Sequence, residues 1–131
     1  MTILDKIIAF KKKEIAKIKL EVPVKKLVES PNFLRQSLSL KKALLAVGSS
    51  GIIAEYKRQS PSKGIINDKA TIAEVTNGYL EANVAAQSIL TDTSFFGGTM
   101  ADLMEARVIN QQKPILRKDF IVDGFLIVDA K

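Results

Sequence analysis

Residues with chemical potential gather at three places in the chain. The first is IIAEYKRQSPSK, residues 52–63, an apolar run that ends in charged and hydroxyl side chains. In an extended strand, side chains alternate between faces, so Ile53, Glu55 and Lys57 share one face while Ile52, Ala54 and Tyr56 share the other. An acid and a base two residues apart then point the same way at the carboxyl end of a strand, where parallel α/β folds carry their active sites. A surface ion pair on an edge strand is the alternative, and it would add little to stability. The following loop holds Lys57, Arg58, Ser60, Ser62 and Lys63, groups suited to binding phosphate or carboxylate. GxxxxGK[ST] is absent, so a nucleotide P-loop has no support. The second place is Phe95-Phe96-Gly97-Gly98, aromatics that either plug the core or line an apolar pocket. At the third, Leu116, Lys118 and Phe120 share one strand face and Arg117 and Asp119 the other. An inward Lys118 near Lys57 and Glu55 makes a cationic site with one carboxylate. Crowded or desolvated lysines lose proton affinity and become usable general acids. Arg117 and Asp119 read as a structural ion pair.

Composition narrows the chemistry further. The 131 residues contain neither cysteine nor histidine, which removes thiol nucleophiles, thiolate metal sites and the commonest neutral-pH base. Acid–base work would have to use lysine and carboxylates. Hydrophobic content of 47% with 26% charged residues suits one globular domain and argues against disorder. No apolar run reaches membrane-spanning length and no signal-peptide pattern is present, so a cytoplasmic protein is the expectation. The formal charge of +6 is uneven: residues 1–50 hold 11 Lys/Arg against 4 Asp/Glu, and residues 51–131 hold 9 against 10. A solvated helix face explains the basic segment. Nucleic-acid binding is the alternative, although no aromatics interleave the cations.

The elements that must position these residues follow from periodicity. Thr2 and Asp5 resemble a capping box. Ile3, Leu4, Ile7, Ile8, Ile15 and Ile18 recur at helical spacing, with Lys11–Lys13, Lys17 and Lys19 on the other face. Pro23 suits the first turn of a short helix with Leu27 and Val28, ended by Ser30-Pro31. Leu38, Leu40, Ala43, Leu44 and Val47 suggest a third helical piece, closed at Gly48–Gly51. From there the pattern becomes strand, loop, helix, repeated. A strand at Ile52–Lys57 leads through a polar loop to a helix opened by Asp68 or Thr71, with Ile72, Val75, Tyr79 and Leu80 inward and Asn83 at its stop. A strand at Ala86–Thr91 and the loop Asp92–Gly98 precede a helix capped by Thr99 and Asp102, with Leu103, Ala106 and Val108 or Ile109 inward. Pro114 introduces a strand at Ile115–Lys118, and Asp123 opens a helix with Phe125, Leu126, Ile127 and Val128. Such a series implies parallel strands joined by crossover helices. The last helix meets Lys131 with no stop signal, and three strands leave two sheet edges open, so the chain is expected to be part of a longer fold.

The stretches IIAEYKRQSPSKG, SILTDTSFFGG and PILRKDFIVD closely resemble, in order and spacing, the strand-and-loop motifs of the indole-3-glycerol phosphate synthase family. The basic segment before the first strand is also like that family's. The resemblance implies a (β/α)8 TIM barrel of which this chain holds the first three β/α units, residues 51–131, after an N-terminal helical extension, residues 1–50. It implies a carboxy-lyase of tryptophan biosynthesis acting on a phosphorylated aromatic small molecule, 1-(2-carboxyphenylamino)-1-deoxyribulose 5-phosphate, which loses CO2 and water on ring closure. By the same resemblance, Lys118 is the general acid at the substrate carbonyl oxygen. Lys57 pairs with anionic groups of the substrate, and Glu55 orients Lys57 and the substrate. Ser60 belongs to the substrate-binding loop, and Phe96 and Phe120 wall the anthranilate ring. No metal, organic cofactor, nucleic acid or membrane is implied.

A barrel of this kind needs about 250 residues, so the groups on later strands are absent and the chain alone is expected to be inactive or nearly so. Two residues depart from the family pattern. Gln87 stands where an aliphatic residue is usual, and Leu126 replaces a usual glutamine, which would make the outer face of the last helix more apolar. Self-association of a non-catalytic half-barrel through its open strand edges is the structural alternative.

Overall fold

The computed structural model describes all 131 residues, Met1–Lys131. Helices α1 (Ile3–Glu21) and α2 (Val24–Val28), a 3-10 turn (Pro31–Leu34) and α3 (Leu40–Leu45) precede β1 (Ile53–Tyr56). A two-stranded hairpin, β2 (Gln59–Ser60) and β3 (Gly64–Ile65), leads to α4 (Ile72–Glu81) and β4 (Ala86–Leu90). Then come α5 (Thr93–Phe96), α6 (Met100–Ile109), β5 (Ile115–Lys118) and α7 (Gly124–Asp129). The chain is α/β, and it falls into two compact units, Leu38–Asp119 and the paired segments Met1–Ser37 and Phe120–Lys131.

In the Leu38–Asp119 unit the strands form a parallel sheet in the order β1-β4-β5. The sequence AQSIL of β4 is buried along its whole length, as befits a central parallel strand covered on both faces. Alternation along the strands sends Tyr56 and Ile89 to one side, where they pack with Ile72 of α4 and Ala106 of α6, joined by Val75, Leu103 and Ile115. Of the two candidate starts for α4, Thr71 rather than Asp68 is the cap, and α6 begins at the expected Thr99; Thr71 with Glu74 and Thr99 with Asp102 each close a capping box. Asn83 ends α4 in the left-handed region at φ 54°, the stop its side chain type suggests. Ile109 rather than Val108 is the inward residue of α6, since Val108 is 71% exposed. Two tyrosines fix β1 from the helix side: Tyr56 donates to the Ala70 carbonyl (2.9 Å) and Tyr79 to the Glu55 carbonyl (2.8 Å).

Gln87 points to that same helix side and is fully buried, its Nε2 donating to Thr76 Oγ1 at 3.0 Å. The amide is thus tolerated in an apolar strand because α4 offers a hydroxyl opposite it, although its Oε1 has no partner.

The stretch Asp92–Gly98, expected as a loop, contains one helical turn. Asp92 Oδ2 accepts from the amides of Phe95 and Phe96, and Gly97 ends the turn at φ 65°. Gly98 follows against the end of β4, so close that a Cβ there would lie 2.0 Å from the Leu90 carbonyl oxygen.

In the other unit, Thr2 and Asp5 close the capping box of α1. Ile7 and Ile15 are buried, whereas Ile3 and Leu4 remain half exposed. Lys11 departs from the expected outer face: it is 2% exposed, with its ammonium 2.7 Å from Glu14 Oε2. Pairing with a carboxylate one helical turn away offsets part of the cost of burying that charge. Asp123 caps α7 through the Phe125 amide and accepts from Lys19 at 2.9 Å. Leu126 is 2% exposed and forms this unit's core with Ile15 and Phe125. The outer-face expectation for it is therefore corrected, and a leucine is the better fit to a dry site. No helix is long and apolar enough to cross a membrane.

Two glycines separate close approach from mere flexibility. Gly98→Ala should destabilise the chain by at least about 2 kcal/mol, because backbone must move to admit the methyl group. Gly78→Ala, inside α4 with nothing within 4 Å of its Cβ, should stabilise it by roughly 0.5–1 kcal/mol. Urea midpoints of the two variants check the contrast, and equal midpoints would contradict it.

Candidate active site

Parallel strands lie about 4.8 Å apart, so β1 and β5 are separated by roughly 10 Å across β4. The register places Glu55 opposite Ser88, Ser88 opposite Leu116, and Leu90 opposite Lys118. On the sheet face away from α4 and α6, the long side chains of Glu55 and Lys118 meet over the short Ser88. Lys118 Nζ is 2.8 Å from Glu55 Oε2. The Ser88 hydroxyl donates to the same oxygen at 3.0 Å. Lys57 Nζ stands 3.7 Å from the other oxygen, Oε1. Glu55, Ser88 and Lys118 border an open depression of about 440 Å³ together with Ile53, Leu116, Arg117 and Asp119.

Partial burial pushes the Glu55 carboxyl up. Hydrogen bonds from Lys118 and Ser88 and the charges of Lys118 and Lys57 outweigh it, and the pKa sits below its ordinary value. Glu55 is therefore ionised near neutrality, and the stability its pairing contributes is lost only as the pH falls through that lowered value. With two ammonium groups on one carboxylate, the cluster carries a net charge of +1. The Lys118 side chain is 54% exposed, so solvent screens the pair and its worth to folding is below about 1 kcal/mol. An ion-pair cluster of so little structural value in a depression is a candidate for anion binding and proton transfer.

The neighbouring charges are structural. Arg58, expected among the anion-binding groups of the loop, is engaged elsewhere, and this corrects the expectation. Its guanidinium grips both oxygens of Asp102, donates to the Gly97 carbonyl at 3.2 Å, and lies 5.0 Å from the centre of the Tyr56 ring. The bond to Asp102 raises the arginine's proton affinity above its usual level. Arg117 and Asp119 pair at 3.6 Å with both side chains buried. Thr91 links them, accepting from Arg117 Nε (3.1 Å) and donating to Asp119 Oδ2 (2.7 Å).

Among the residues singled out from the sequence, Glu55, Lys57 and Lys118 come together. Ser60 lies on the β2–β3 hairpin, where its hydroxyl accepts from the Lys63 amide at 3.2 Å. Phe96 is half-buried on α5, which packs against β2. Phe120 is half-buried and belongs to the Met1–Ser37 and Phe120–Lys131 unit. Ser88 was not singled out. Its signal was present as a lone hydroxyl in AQSIL, but only the register reveals that it faces Glu55.

The two kinds of ion pair should respond differently to removal. Arg58→Met should cost about 2 kcal/mol, since it strips the partner from a mostly buried Asp102. Lys118→Met should cost less than about 1 kcal/mol. Chemical denaturation of both variants checks the ranking, and a larger loss for Lys118→Met would reverse the assignment.

Comparison with known proteins identifies the family. The family model for indole-3-glycerol phosphate synthase matches residues 4–131. The chain is 46% identical over 129 residues to the indole-3-glycerol phosphate synthase of Bacteroides thetaiotaomicron, covering 98% of this chain and 49% of that protein. It is 40% identical over 131 residues to that of Burkholderia lata and 41% identical to that of Burkholderia cenocepacia, covering 98% of this chain and 50% of each. The chain spans about half the length of the curated relatives it matches. Its β/α units are those of a TIM-barrel family, and the chain belongs to the indole-3-glycerol phosphate synthase family.

Proposed function

We propose that Glu55, Lys57 and Lys118 form one wall of an active site that closes the indole ring of indole-3-glycerol phosphate. The observation that supports this is the convergence of two lysines on one ionised glutamate inside a depression, at the carboxyl ends of β1 and β5. The substrate, 1-(2-carboxyphenylamino)-1-deoxyribulose 5-phosphate, carries a carboxylate, a phosphate and an aromatic ring. A net positive cluster beside apolar Ile53 and Leu116 suits that combination.

Lys118 acts as general acid, giving its proton to the carbonyl oxygen as the ring carbon attacks. Carbon dioxide and water then leave, and the aromatic system is restored. Lys57 holds an anionic group of the substrate, and Glu55 keeps the two ammonium groups apart and aimed. Ser60 on the hairpin contributes to substrate binding, and Phe96 packs against the anthranilate ring. Residues 1–50 serve as the helical extension and 51–131 as three β/α units of the barrel. Electrostatic stabilisation needs donors around the whole transition state, so the 131 residues alone, with one wall, turn over little or no substrate.

The test joins residues 1–131 to the remaining half of the Bacteroides thetaiotaomicron relative. The joined protein should form indole-3-glycerol phosphate, and Lys118→Ala should lower kcat by about a thousandfold or more, the usual range for a general acid that also stabilises charge. The 131-residue chain alone should show no turnover above background. A joined protein indifferent to Lys118→Ala would remove Lys118 from its role, and Lys118-dependent turnover by the isolated chain would refute the need for a second wall.

A further inference from the structure

Glu55 could swing among several rotamers, because both its lysine partners sit on long, partly exposed side chains. Lys57 and Lys118 are 36% and 54% exposed. The one rigid donor that reaches it is Ser88. Ser88 is 3% exposed, in the middle of a strand that is hydrogen-bonded on both sides. Its backbone stands directly opposite Glu55 in the register, so the hydroxyl meets the carboxylate from below at 3.0 Å. It donates to Oε2, the oxygen that Lys118 also uses, leaving Oε1 to Lys57.

We infer that Ser88 is a positioning residue, which fixes the Glu55 carboxylate so that each oxygen serves one lysine and Lys118 is held over β4. This deepens the role proposed for Lys118 and rests on that reading.

The size of the side chain matters as much as the hydroxyl. Glu55 and Lys118 come from strands two places apart and join above residue 88, so a bulky residue there would keep them from meeting. Alanine would leave the space and remove the donor. The groups that face Glu55 are Lys57 on its own strand, Ser88 on β4, Lys118 on β5, and Tyr79 of α4, whose hydroxyl takes the Glu55 carbonyl. Of these, only Ser88 is a neutral donor to the carboxylate. Its bond favours the ionised form, in line with the lowered pKa of that group.

The experiment uses the 131-residue chain itself and does not depend on turnover, so failure of the enzymatic reading and failure of this one are separable. Carbon-13 NMR follows the Glu55 side-chain carboxyl through an acid titration, and nitrogen-15 NMR follows the Lys118 ammonium. Ser88→Ala should move the Glu55 midpoint up by about half a pH unit, and the Lys118 ammonium hydrogens should exchange several-fold faster. Ser88→Thr, which keeps the hydroxyl, should restore both. Unchanged Glu55 and Lys118 signals in Ser88→Ala overturn the proposal. So does failure of the threonine variant to restore them while its backbone spectrum stays native. If the alanine variant does not fold, the hydroxyl proton of Ser88 decides in the unsubstituted chain. A slowly exchanging signal is expected from a buried, bonded serine, and its absence overturns the assignment.

Discussion

Parallel pairing of β4 on both of its edges is the constraint from which the site descends. A strand of five buried residues, bonded in fixed register to β1 and β5, has no freedom to slide. A slip of one residue would send Ser88 to the helix side and Gln87 to the depression. The same register that stacks Tyr56, Ile89 and Ile115 under the helices brings Glu55 and Lys118 together over Ser88 on the other face. Packing on one side of the sheet thereby sets which side chains meet on the other.

Much of this order could be read from the residues. Thr71, Thr99 and Asp123 begin helices because their side chains satisfy free amides at the first turn, and such signals are local. Asn83 marks a stop through an equally local property, its tolerance of the left-handed backbone region. Glu55 and Lys57 share a face by alternation alone, and Lys118 joins them once the strands are taken as parallel neighbours. What stayed hidden depends on distant partners. Arg58 resembled an anion-binding group because nothing nearby in sequence shows that Asp102, 44 residues on, claims it. Lys11 resembled an outer-face lysine, and Leu126 an exposed one, because burial is a property of the assembled unit. The turn at Thr93–Phe96 escaped because a single cap, Asp92, supports it without any periodicity.

Two of the ion-pair systems of the Leu38–Asp119 unit show how similar residues form different contacts. Arg58 and Asp102 are bonded through both oxygens, mostly buried, and braced by an aromatic ring. That geometry rewards folding and leaves no capacity for a ligand. Lys118 and Glu55 share one contact in an open depression, with a second lysine in reserve. That geometry gives little to folding and keeps its donors available. Exposure and bonding pattern, rather than the residue types, separate the structural pair from the candidate site.

Asp102 has a consequence for motion. The carboxylate that closes the capping box of α6 also grips Arg58, two residues beyond β1. Fraying of the first turn of α6 moves the carboxylate that holds that arginine, so the helix start and the end of β1 are tied through one side chain. Local opening at these two places is therefore one event with one free energy. In hydrogen exchange, the amides of Thr99 and Asp102 and those flanking Arg58 are expected to open together, although about 40 residues of chain lie between them.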